Sequence, residues 1–172
     1  MTTALATSDR GRVYTDFIFA ELEREHERRA SAQSRASSLS GFGTGAVSLA
    51  GAGLVFVFGQ GHAITPVATV LLLVTLVAFI VSTGLAARVF AIGHTYRVPD
   101  AKGYRVMVGS RWSDSEEAAR RATAAFAVRT ITTLRAGNNR SATLLEWAGY
   151  LQVEGLAALG LALVVEFIRA LA

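Results

Sequence analysis

The chain has 172 residues, 52% of them hydrophobic, with 17 basic and 13 acidic side chains and a net charge of +4. That length suits one compact domain without a separate enzyme module. The absence of cysteine excludes disulfides, thiolate catalysis and cysteine-ligated zinc. The basic residues are not gathered into one patch interleaved with aromatics, which argues against nucleic acid as a partner.

Residues 1–8 are small and polar and are expected to form a disordered tail. From about Asp9, Val13, Tyr14, Phe17, Ile18 and Leu22 recur at helical spacing and make one apolar stripe. The segment from Glu21 to Arg35 is strongly polar, with Glu25–Arg28 and Glu25–Arg29 at i,i+3 and i,i+4 spacing. No apolar run of signal-peptide type interrupts it, so the first span is expected to act as an uncleaved anchor. Residues 9–36 are predicted to be a cytoplasmic helix continuous with that span. Its stripe either packs on another cytoplasmic helix or lies flat on lipid.

Between Arg35 and Arg88, 52 consecutive residues contain no Asp, Glu, Lys or Arg. A bilayer core takes roughly 20 apolar residues per helix, so residues 37–92 are predicted to form a transmembrane hairpin. Its turn is placed at Gly59-Gln60-Gly61-His62, with Pro66 opening the second helix. In the first span Ser38, Gly41, Gly45, Ser48 and Ala52 fall three and four residues apart. Such a face lets backbones approach closely, against a helix of the same chain or of a neighbouring subunit. The second span is richer in Val and Leu, and Arg88 closes it where a long side chain can snorkel.

Residues 93–140 are predicted to be a cytoplasmic connector and helix. The connector carries Gly93, Pro99, Gly103 and Gly109 and reads as having at most a short irregular element. Ser113-Asp114-Ser115-Glu116 has the spacing of a capping box, with Ser113 as cap and Glu116 reaching back. The Gly137-Asn138-Asn139 run is expected to kink or break the helix. Residues 141–172 form a third apolar stretch. Six arginines precede the first span and ten basic residues run from Arg88 to Arg140, while the 59–64 turn has none. By the positive-inside rule the N-terminus lies in the cytoplasm and the C-terminus outside. The sequence therefore predicts an all-α, multi-pass membrane protein of three spans, with the lipid bilayer as its first partner.

The third stretch holds the polar residues that invite function. Glu166 and Arg169 read as an interfacial i,i+3 pair, and Glu146 is expected to meet Arg88 at the cytoplasmic boundary. Glu154 lies ~12 Å deeper along the helix. A charge there costs roughly 2.5–3.5 kcal/mol, so Glu154 is expected to face protein or a water-filled cavity, with Tyr150, Thr44, Ser48 and Ser82 as candidate partners; Gln152 is a further polar residue of the same stretch. Three roles stay open for it: packing as a neutral hydrogen-bonded acid, lining a pore, or carrying a proton. His26, His62 and His94 are too scattered for one metal site, and no catalytic constellation or nucleotide fingerprint can be assembled. No enzyme, cofactor or metal is expected.

The juxtamembrane segments Glu25-His26-Glu27-Arg28-Arg29-Ala30-Ser31, leading through Arg35 into Ser40-Gly41, and Leu134-Arg135-Ala136-Gly137-Asn138-Asn139-Arg140-Ser141-Ala142 are similar to those of a family of small bacterial integral membrane proteins. In layout the chain resembles the Pycsar membrane effectors and the wider SLATT-type membrane domains. That resemblance implies a helical, homo-oligomeric protein of antiphage defence, which assembles and disrupts the membrane on a cytoplasmic protein or nucleotide signal. A self-assembling effector or pore subunit is thus the first reading. A passive scaffold that docks a cytoplasmic partner is the second, and a proton-coupled transporter subunit using Glu154 is a distant third.

Overall fold

A computed structural model describes residues 3–59, 64–92 and 101–171. Among them are four helices and no strand: α1 (Thr3–Gly59), α2 (Pro66–Ile92), α3 (Ala101–Val108) and α4 (Glu116–Leu171). Two of them, α2 over Pro66–Ala91 and α4 within Glu116–Arg169, carry stretches long and apolar enough to cross a membrane. The chain divides into two units. One comprises residues 1–31 and 92–140, the other 32–91 and 141–172.

The second unit is built from the apolar parts of α1, α2 and α4. Thr65 caps α2, its Oγ1 accepting from Ala68 N at 3.2 Å, and Pro66 takes the first helical position as expected. Along α2, Ala68, Thr75, Phe79, Ser82, Ala86 and Val89 are buried, spaced three, four or seven apart as one helical face. Val67, Val70, Leu73, Val77 and Ile80 on the other side are more than half exposed. On α4 the inward face is Ala148, Gln152, Gly155 and Ala162. Ala36, Ala86 and Val89 form a small core, closed by Ala32, Leu39, Leu144 and Leu145. Apart from Phe79 and Val89, the inward residues of α2 are thus small or hydroxylated, and larger aliphatic ones point out.

Close packing in this unit depends on two glycines. A Cβ on Gly155 would lie 3.3 Å from a ring carbon of Phe79, and one on Gly43 would lie 2.8 Å from Thr83 Oγ1. Phe79 also meets Phe42 with ring centroids 6.4 Å apart. Side-chain donors to backbone carbonyls tie the helices together: Ser82 Oγ to Ala148 O at 2.8 Å, Thr75 Oγ1 to Gly155 O at 3.1 Å, and Gln152 Nε2 to Leu39 O at 2.7 Å.

The first unit is charged, and several expectations are corrected within it. Residues 3–8, read as part of a disordered tail, belong to α1; Ala4, Leu5 and Ala6 are good helix formers. The connector contains a full eight-residue helix, α3, while residues 93–100 lie outside the described part. Ser115 caps α4, with Ala118 N donating to its Oγ at 3.3 Å. Ser113 does not serve as the cap, because successive turns (Trp112 N to Gly109 O, Asp114 N to Arg111 O) occupy the backbone up to Asp114. Glu116 is consequently the first helical residue and pairs forward with Arg120. Nor does α4 break at Gly137-Asn138-Asn139: the Asn138 amide is engaged by another helix and does not compete for its own backbone.

Candidate functional site

In the charged unit, Glu21 and Glu25 lie one turn apart on α1, and Arg135 and Asn138 lie one turn apart on α4. The structure brings these four together. Glu25 is 0% exposed. Its Oε1 accepts from Arg135 Nε at 2.8 Å and from Arg28 Nη1 at 3.2 Å. Asn138 Nδ2 donates to Glu25 Oε2 and to the Glu25 backbone carbonyl, both at 2.9 Å. The Arg135 fork is completed by Nη2, which contacts the Glu21 carboxylate. A buried carboxylate survives only when paired and hydrogen-bonded, and here both oxygens are served.

Burial pushes the Glu25 carboxyl up. The hydrogen bonds from Arg135 and Asn138 and the positive charges of Arg135 and Arg28 outweigh that, and Glu25 is held below the usual carboxylate range. The hydrogen bond and charge of Glu25 in turn raise Arg135 further. Such a group is neither a general acid nor a free base near neutral pH. The cluster is a clamp between α1 and α4. Of the other juxtamembrane residues, Arg35, Arg28, Asn139 and Arg140 are exposed and Arg29 is half-buried.

In the apolar unit, the residues expected around Glu154 do not converge on it. Glu154 is exposed, whereas Gln152 is buried. Two residues are about 200° apart around a helix, so turning Gln152 inward turns Glu154 out. The proposed partners have other commitments: Tyr150 donates to Glu146 at 3.5 Å, Thr44 to Ser40 O, Ser48 to Thr44 O, and Ser82 to Ala148 O. The expected Arg88–Glu146 pair is not among the ion pairs of the described residues; both side chains are exposed. The Glu166–Arg169 pair is present at 3.6 Å. Glu166 Oε1 also accepts from Thr65 N at 2.8 Å and Thr65 Oγ1 at 2.6 Å, binding the start of α2 to the end of α4.

Ser38, Gly41, Gly45, Ser48 and Ala52 are all exposed. A Cβ on Gly41 or Gly45 would meet nothing within 4 Å, so the close contacts of α1 run through Gly43 instead. The apolar stripe of the charged half also divides: Val13, Tyr14 and Phe17 are 64–70% exposed, while Ile18 and Leu22 are half-buried. Only the latter pair points toward the clamp side of the helix.

Among the described residues no group of His, Asp or Glu is placed to hold a metal ion. His26 Nδ1 lies 2.9 Å from Leu22 O, and His62 and His94 are outside the described part. The clamp was not legible in the sequence, although Glu25, Arg135 and Asn138 sit in the juxtamembrane segments 25–31 and 134–142 and only Glu21 lies outside them. No family model matches the chain, and neither a curated protein nor a solved structure is significantly similar to it.

Proposed function

We propose that the protein is a non-enzymatic integral membrane protein of three spans, with its N-terminus in the cytoplasm and its C-terminus outside. In this reading it is a self-assembling effector or pore-type subunit of a bacterial inner membrane, answering a cytoplasmic signal. The observation that carries the reading is the inverted arrangement of the apolar unit. Val67, Val70, Val77, Ile80, Leu163 and Phe167 are more than half exposed, while Thr75, Ser82 and Gln152 are buried. Water would favour the opposite distribution; lipid favours this one, because hydrogen bonds and small-residue contacts hold helices together there.

Self-assembly is supported by two features of the single chain. The Gly41–Gly45 face of α1 is uncovered, and Glu154 is exposed in a stretch of α4, residues 147–165, that holds no other charge. A second copy would cover both. The defence context comes from the resemblance of segments 25–31 and 134–142. The scaffold reading draws on a different observation, the exposed Val13, Tyr14 and Phe17 of α1, which a cytoplasmic partner protein could cover.

The test is induced expression in bacteria carrying a potential-sensitive dye, with particle mass measured in nanodiscs. The effector reading requires depolarisation by the wild type and a multimeric particle. Glu154→Gln should weaken depolarisation without loss of the folded chain. A monomer that leaves the potential intact while co-purifying with a stoichiometric protein would replace this reading with the scaffold.

A further inference from the structure

Between Asp100 and Asp114 lie three cations, Lys102, Arg105 and Arg111, in a short segment with Tyr104, Val106, Val108 and Trp112. Within α3, Gly103 and Met107 form the half-buried side, leaving Lys102, Tyr104, Arg105, Val106 and Val108 exposed. Trp112 is 78% exposed and Val108 69%. The segment after α3 is held in turns by Gly109 N to Arg105 O, Arg111 N to Val106 O and Trp112 N to Gly109 O, so Arg111 and Trp112 have fixed backbone positions. A groove of about 610 Å³ runs beside α3, lined by Val106, Met107 and Phe126 and flanked by Lys102, Arg111 and Trp112.

We propose that α3 and the following turn form a docking surface for anionic phospholipid, with Lys102, Arg105 and Arg111 on the headgroups and Trp112 and Val108 in the interfacial layer. The pattern is that of an interfacial element: cations for the surface potential, an amphipathic aromatic at headgroup depth, and aliphatic side chains facing outward. The nearby acids do not oppose it evenly. Glu116 and Glu117 are paired with Arg120 and Arg121, which leaves Asp114 at the groove. A soluble anion would engage the cations but would leave the outer aliphatic and aromatic side chains in water. In sequence α3 is close to the apolar helix, starting nine residues after α2 ends.

The inference rests on the membrane reading of α2 and α4, and the two tryptophans, Trp112 and Trp147, separate the two. Full-length Trp147→Phe and Trp112→Phe variants are placed in nanodiscs of brominated phosphatidylcholine, or of its equal mixture with brominated phosphatidylglycerol. Trp112 should be blue-shifted and quenched roughly twofold or more in the anionic disc relative to the neutral one, since each basic residue near such a surface strengthens binding about fivefold. The excess should vanish in Lys102→Gln/Arg105→Gln/Arg111→Gln. Trp147 should be quenched in both discs. If Trp147 is quenched and Trp112 is water-exposed in both, the proposal is overturned and the face belongs to a protein partner. Equal quenching of Trp112 in both discs also overturns it. An unquenched Trp147 would sink the membrane reading itself. Should either variant fail to fold, fluorotryptophan in the unsubstituted chain reports the same lipid dependence through its fluorine resonances.

Discussion

Gln152 on α4 donates through Nε2 to the backbone carbonyl of Leu39 on α1 at 2.7 Å, while Glu154, two residues further on, faces away from the bundle. That amide, with the bonds of Ser82 to Ala148 O and Thr75 to Gly155 O, fits this rotation of α4. Replacing Gln152 with Leu should destabilise the apolar unit by roughly 0.6 kcal/mol, the average for such bonds in membrane bundles, and by at most about 1.7 kcal/mol. Thermal unfolding in detergent measures it, and an unchanged midpoint would mean that packing alone fixes the helix.

The glycines of the apolar unit should separate into two classes. Gly155→Val pushes side-chain atoms into Phe79 and Ala78, already 3.3 and 3.4 Å from a Cβ at that position, and should cost about 1–3 kcal/mol through overpacking. Gly41→Leu meets nothing within the chain and should leave the monomer's stability intact while reducing assembly. Unfolding midpoints and particle mass, read side by side, distinguish the two. A Gly41→Leu chain that assembles normally would remove that face from any interface.

Acid should loosen the charged unit through Glu25. Its carboxyl is held below the ordinary range, in spite of burial, by Arg135, Asn138 and Arg28. The folded state therefore binds the proton less readily than the unfolded chain. The stabilisation is complete above the ordinary carboxylate value of about 4.3 and fades as pH falls through the depressed one. Unfolding midpoints between pH 7 and pH 3 should drop more steeply for the wild type than for Glu25→Gln. Parallel curves would show that other acids govern that limb.

Capping chemistry gives a local check on the start of α4. Ser115→Ala removes the acceptor for Ala118 N and should cost about 1 kcal/mol. Ser113→Ala should be near neutral, since Ser113 precedes the helix and caps nothing. Amide exchange at Ala118 is the direct readout, and equal effects of the two substitutions would contradict the assignment.

The sequence carried the helical character, the apolar length of α2 and the apolar part of α4, because charge-free length and Pro66 are one-dimensional signals. It also carried the local Glu25–Arg28 and Glu166–Arg169 pairs, whose spacing fits one helical turn. Rotation was not legible. A helix apolar on every side has no periodic signal, so the choice between Gln152 and Glu154 facing inward depends on what surrounds it. The Glu25 clamp was hidden for a related reason: Arg135 and Asn138 are far away in the chain, and no local spacing announces them. The displaced cap came from the turns around Gly109, whose backbone bonds run on to Asp114 N before the helix begins.

The outward Val and Leu of α2, set against its inward Ala, Ser and Thr, imply a distinctive pattern of mutational tolerance. In lipid, Val70 or Val77 should accept any aliphatic replacement almost freely, yet a lysine there should cost roughly 2.5–3.5 kcal/mol. At Ala68 and Ala86, both 0% exposed, even one added branch should be felt. Variation among descendants of this gene would then concentrate on bulky aliphatic positions and spare the smallest ones, the reverse of the drift seen at the rim of a water-bathed enzyme.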